Sequence, residues 1–201
     1  MTSPRKDSPR PKGTPPSAEE INSLPLGRYR GPVRLVTSPP QVRKALRALG
    51  RERVLGFDTE TRAAFRKGES YPPALVQLAG ADAVWLFRLN RLKGLGGLAP
   101  LLADAGVVKT GVALERDVKE LRELEEFEPA GFLGLEKLSD EHGVVANGLR
   151  GMAASVLRLR VSKGAQRSNW ARQRLSDKQI EYAATDAWIC REIYLRLTRP
   201  R

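Results

Sequence analysis

The chain has 201 residues, of which 41% are hydrophobic and 6% aromatic, and it carries a formal charge of +12 at pH 7. That length suits one domain with a real core. No apolar run approaches the roughly 20 residues of a membrane span, no apolar core follows the basic N-terminus as in a secretory signal, and the single Cys190 excludes an intrachain disulfide and a cysteine-based zinc site.

A lone thiol on an apolar helical pattern reads as buried and reduced, which suits a cytoplasmic protein. The excess charge is mostly arginine, whose planar fork grips phosphate, so the composition points to a polyanionic partner.

Residues 1–22 are rich in Pro, Ser, Lys and Arg and almost free of large apolar residues, which predicts a disordered basic leader. The folded part, 31–198, begins with a strand at 33–36. Ser38 then caps a helix with Pro39 in its first turn and Val42, Leu46 and Leu49 on one face. A second strand covers 53–58. Beyond the polar stretch 61–71, two β-rich runs at 74–79 and 83–87 are joined by a turn short enough for a hairpin. A short helix near 98–104 leads to a strand at 107–111, and helices follow over 115–125, 135–142, 149–159 and 176–197. Strands first and helices later predict a single α/β domain whose mixed sheet is packed by helices. In the last helix, Ser176 and Gln179 form a capping-box pattern, and Tyr182 and Asp186, four apart, share a face.

Asp58 and Glu60 end the apolar run of the second strand. Side chains alternate along a strand, so the two carboxylates point the same way. Such a pair is costly unless a cation neutralises it, and hard divalent ions such as Mg2+ or Mn2+ prefer oxygen ligands. Asp117 opens a later helix, where a lone carboxylate would ordinarily serve the helix N-terminus. The case for chemistry rests on the three acidic elements together.

GFDTET at 56–61, KTGVALERDVKEL at 109–121 and QIEYAATDAWICREIYLRL at 179–197 resemble, in order and internal spacing, the three motifs of the DEDD superfamily of 3′–5′ exonucleases. The resemblance covers nearly all of 31–198. The Tyr182-x-x-x-Asp186 form matches the tyrosine subclass, and the stretch Ser162 to Trp170 is similar to ribonuclease D and Werner-type exonuclease domains. The resemblance implies a ribonuclease H-like fold and hydrolysis of phosphodiester bonds from a nucleic acid 3′ end by two divalent ions, Mg2+ or Mn2+, without an organic cofactor. It implies that Asp58 bridges the ions, that Glu60 and Asp186 complete the water-activating site, that Asp117 holds the second ion through ordered water, and that Tyr182 orients the attacking water. No acidic position departs from the pattern. His142, the only histidine, lies outside it and reads as structural or exposed.

Around the mouth, Lys163, Arg167 and Arg172 are candidates for strand binding, with Thr61, Arg66 and Lys67 beside the terminal nucleotide; each also reads as ordinary surface. Trp170 reads as core. A phosphate-binding G-x-x-x-x-G-K-[ST] loop and a G-x-S-x-G elbow are both absent. The chain shows none of the helical domains that ribonuclease D-like proteins add for RNA, so DNA is the expected substrate. RNA 3′ processing is the first alternative, and a non-catalytic nucleic-acid-binding module on the same fold the second.

Overall fold

A computed structural model describes residues 14–199 of the chain. Its strands are β1 (Val33–Val36), β2 (Val54–Thr61), β3 (Pro73–Ala79), β4 (Val84–Arg88), β5 (Val108–Gly111) and β6 (Phe132–Gly134). They form one mixed sheet in the order β1-β4-β3-β2-β5-β6. The β2–β3 and β3–β4 pairs are antiparallel, and the β1–β4, β2–β5 and β5–β6 pairs are parallel. The helices are α1 (Ala18–Ser23), α2 (Pro39–Leu49), α3 (Leu89–Leu92), α4 (Ala99–Leu102), α5 (Leu114–Leu124), α6 (Leu135–Glu141), α7 (Gly148–Met152) and α8 (Asp177–Thr198).

The period-two alternation of the central strands sorts their side chains between two unlike faces. On one face, Leu55, Phe57, Val76, Leu78, Trp85 and Phe87 build a large-residue core with α2, α4 and α5. On the other, Leu75, Ala79, Val84 and Leu86 meet Ala183, Ala184 and Ala187 of α8. Small residues let α8 settle close. Gly56 of β2 takes this to the limit, because a Cβ there would lie 1.9 Å from the carbonyl oxygen of Ala187. Glycine is required at 56 by the approach of another backbone.

The mixed sheet flanked by helices agrees with the sequence, and several local features differ. Residues 1–13 of the expected leader lie outside the described residues. Within 14–22, where the composition predicts disorder, Ser17 and Glu20 form a capping box, α1 begins at Ala18, and Ile21 is buried. One apolar anchor and a good cap are enough to order a short segment laid against an existing surface. The second strand runs three residues past Asp58, to Thr61. Ser38 makes no side-chain cap; the Thr37 amide and hydroxyl donate instead to Gln41 Oε1 at 2.8 and 3.1 Å. The helix expected over 149–159 is α7 followed by a π-helical turn, Ala153–Leu157. The three-residue β6 and the single-turn α3 carry no periodic signal and escape the sequence reading. No helix among the described residues is long and apolar enough to cross a membrane.

Candidate active site

Asp58 and Glu60 project from the α8 face of β2, at the end where β5 no longer pairs. Asp186 comes down from α8 onto the same spot, one residue before the Ala187 carbonyl that rests over Gly56. One carboxylate oxygen from each of Asp58, Glu60 and Asp186 lies within 4.8 Å of the others. Glu60 and Asp186 are 8% and 5% exposed, and Asp58 is partly exposed.

Three carboxylates so close cannot all stay ionised unaided. Loss of water, then the charges of Asp186 and Asp117, push Asp58 well above the usual carboxylate range; the amide of Thr59, donating to its Oδ1 at 2.9 Å, pulls the other way. Burial, reinforced by Asp58, Asp186 and Asp117, raises Glu60 to about 10. Burial also raises Asp186, and hydrogen bonding by the Tyr182 hydroxyl partly offsets it. Asp186 Oδ1 is buried with no hydrogen-bond partner. An orphaned acceptor within a cluster of mutually repelling oxygens fits a hard cation. The donor set therefore suits the divalent metal that the sequence resemblance implies.

Asp117 arrives differently. It sits in the first turn of α5, on the opposite side of the sheet, and accepts a hydrogen bond from the Thr59 hydroxyl at 2.8 Å. Burial raises its carboxyl to about 6, with the Thr59 bond opposing. It stands outside the tight triad yet near enough for its charge to raise Asp58 and Glu60. Thr59, the middle residue of the acidic pair, is thus a link between the two faces that period-two reasoning alone does not single out.

Tyr182 lines the same cleft, and its ring meets that of the fully buried Trp170 at 6.0 Å, tilted by 45°. The core position expected for Trp170 is correct, and through this contact it also holds the tyrosine. The loop carrying Trp170 is tied to α8 by Gln179, whose Nε2 donates to Ser168 Oγ at 3.0 Å and to the Asn169 carbonyl at 3.3 Å. The same Gln179 completes the capping box with Ser176. Burial and the surrounding carboxylates raise the Tyr182 hydroxyl far beyond its ordinary value, so it stays protonated. Gln77, directly across from Asp58 on β3, is fully buried with neither amide atom partnered. Cys190 is a buried free thiol at the cleft floor, raised by burial and by Asp58 and Asp186, and hence unreactive. His142 closes the end of α6, its Nδ1 lying 2.8 Å from the Leu138 carbonyl oxygen.

The strand-binding candidates divide. Lys163 lines the cleft, a cavity of about 390 Å³, beside Ser162 and Gln166. Arg167 stacks over the exposed ring of Phe65, 5.7 Å from its centroid, joining the 62–72 loop to the loop that bears Lys163. Thr61 ends β2 at a register shift opposite Pro73. Arg66 and Lys67 are exposed on the 62–72 loop and do not line the cleft, and neither does Arg172, whose side chain is exposed. Arg150 does line it, and no motif or periodicity marks it in the sequence.

A 3′–5′ exonuclease family model matches residues 33–200. The chain is 34% identical over 151 residues to the Drosophila melanogaster "Exonuclease 3′-5′ domain-containing protein 2", covering 73% of this chain and 26% of that relative. It is 28% identical over 166 residues to Haemophilus influenzae "Ribonuclease D", covering 80% of this chain and 40% of the relative. The chain thus spans well under half the length of these curated relatives. Among solved structures, the Aedes aegypti Nibbler EXO domain superposes with a TM-score of 0.77 at 24% identity, over 85% of this chain and 90% of that one. The shared architecture is a ribonuclease H-like sheet.

Proposed function

Because the chain belongs to the 3′–5′ exonuclease family, we propose that it removes nucleotides from the 3′ end of a nucleic acid strand at the Asp58–Glu60–Asp186 cluster. The observation that carries this is the convergence of three acids from β2 and α8 with a buried, unpartnered oxygen among them. Asp58, Glu60 and Asp186 would hold one divalent ion, and Asp58 with Asp117 a second. Such a pair, Mg2+ or Mn2+, supplies an activated water and stabilises the leaving 3′ oxyanion.

The side chains then have separate tasks. Tyr182, kept protonated by burial and by the acids around it, orients the incoming water by hydrogen bonding. Trp170 fixes the ring that carries that hydroxyl. Thr59 holds Asp117 in a defined rotamer. Lys163 offers a cation to the strand backbone at the mouth, and the pairing of Arg167 with Phe65 leaves an aromatic ring and a guanidinium beside the path of the strand. A cytoplasmic setting belongs to this reading, supported by the reduced, buried Cys190.

Charge reads phosphate and is blind to the sugar. DNA is the first reading; RNA is the second, favoured by the similarity to the Haemophilus influenzae protein named ribonuclease D. Matched 5′-labelled DNA and RNA oligonucleotides, single-stranded and with recessed 3′ ends, should be incubated with Mg2+ or Mn2+ and with EDTA. A ladder of 3′-shortened products in metal alone is expected. An intact oligonucleotide that stays bound in every metal would replace the enzyme with a binding module.

A further inference from the structure

Resting on the exonuclease reading, we infer that Arg150 is a phosphate-binding residue of the cleft, set in place by Asn22 of the N-terminal helix. The cations lining the cleft are Lys163 and Arg150. Arg150 lies in α7, and its Nη2 donates to Asn22 Oδ1 on α1, 128 residues away in sequence. Its Nε is buried and has no hydrogen-bond partner. Among the described residues no carboxylate pairs with it.

Buried guanidinium N–H groups are ordinarily satisfied. Here Asn22 takes one Nη2 donor, the buried Nε is closed to solvent, and the rest of the guanidinium belongs to a side chain lining the wall that also carries the acidic triad. Those acids are not its partners, and their geometry suits cations of their own. A cation that lines the cleft, with no carboxylate paired to it among the described residues, has its charge left for an anion brought from outside. Phosphate matches the planar fork of arginine, which offers it two parallel N–H bonds. In a site that receives a nucleic acid 3′ end, that anion is a phosphodiester of the bound strand.

Asn22 is a neutral anchor. It orients the guanidinium without consuming its charge, as an aspartate would. The segment presenting it is well fixed: Ile21 is buried, Arg160 Nε donates to the Leu24 carbonyl at 3.0 Å, the Arg160 amide donates to the Pro25 carbonyl at 3.0 Å, and the Gly27 amide donates to the Arg160 carbonyl at 2.9 Å. The helix that composition alone marks as disordered thus acts as a strap holding a substrate contact.

The test uses the full chain as wild type, Arg150→Ala, Arg150→Lys and Asn22→Ala. Anisotropy of a labelled single-stranded oligonucleotide in EDTA, across salt concentrations, gives the slope of log K against log salt; steady-state digestion gives KM and kcat. Arg150→Ala should flatten the slope by about 0.7, one phosphate contact, and raise KM more than it lowers kcat. Arg150→Lys should restore the slope with weaker affinity, and Asn22→Ala should keep the slope while raising KM less. If Arg150→Ala melts early, Arg150→Gln carries the same expectation. An unchanged slope and KM in a folded Arg150 variant overturns the inference. A wild type that binds and never shortens the strand sinks the exonuclease reading instead, and the anisotropy slopes still decide Arg150.

Discussion

The two walls of the cleft are built by opposite means. The acidic wall is backbone on backbone: α8 rests against β2 at Gly56, and Asp186 meets Asp58 and Glu60 because nothing stands between the two elements. The cationic wall is assembled from loops, a short helix and the N-terminal segment, tied by single side-chain bonds such as Asn22 to Arg150. One wall holds repelling charges that it cannot relieve alone. The other presents the cations Lys163 and Arg150 from separate segments of the chain. In the proposed reaction the acidic wall would fix the chemistry and the basic wall would receive the substrate.

The largest expected effect comes from removing charge from the rigid wall. Asp58→Asn or Asp186→Asn should lower metal-dependent nucleotide release by more than about 100-fold, while the metal-free protein melts higher, since repulsion is relieved. Loss of activity together with a lower melting temperature would break the contrast between the walls. Tyr182→Phe should lower kcat by less than either acid and leave KM unchanged. Next is Gly56→Ala. The added methyl meets main chain rather than a movable side chain, so it should destabilise by about 1–3 kcal/mol or more and reduce activity beyond what that destabilisation explains. Thermal melts and turnover on the same preparation check both.

A fourth expectation concerns pH. Asp117 at about 6 and Glu60 at about 10 sit above their unfolded values near 4. The folded chain therefore keeps protons that the unfolded chain releases. The associated stability is fully present below about pH 4 and is lost as pH rises through 6 towards 10. In EDTA, the melting temperature should fall from pH 5 to pH 8; with Mn2+ the decline should flatten or reverse. A decline unaffected by metal would separate the acids from any cation. The smallest effect distinguishes two basic residues. Lys163→Ala should reduce the salt slope of oligonucleotide binding by about 0.7, and Arg172→Ala, outside the cleft, should leave it unchanged.

The acidic wall is the legible one because it obeys local periods. Two-residue alternation on β2 and the four-residue step on α8 single out Asp58, Glu60, Tyr182 and Asp186 from the order of residues alone. Asp117 fits its motif, yet its route to the site, around the end of β2 through Thr59, depends on which face each layer covers. Gly56 reads as an ordinary strand residue, because the demand on it comes from a helix that begins over a hundred residues later. Arg150 and Asn22 have no local signature at all. Their pairing exists only once α1 and α7 are brought side by side, and composition misjudges α1 for the same reason: its order is supplied by the surface on which Ile21 lands. Conversely, Arg66, Lys67 and Arg172 are basic residues near the motifs in sequence, and in the fold they are exposed and do not line the cavity.

The seat of α8 on Gly56 also limits how the protein can drift. With main chain resting on main chain, changes of side-chain volume elsewhere in the interior have little leverage on the gap between Asp58 and Asp186. That gap behaves like a machined stop, and mutations that soften the surrounding packing should weaken the molecule long before they detune the spacing of its oxygens.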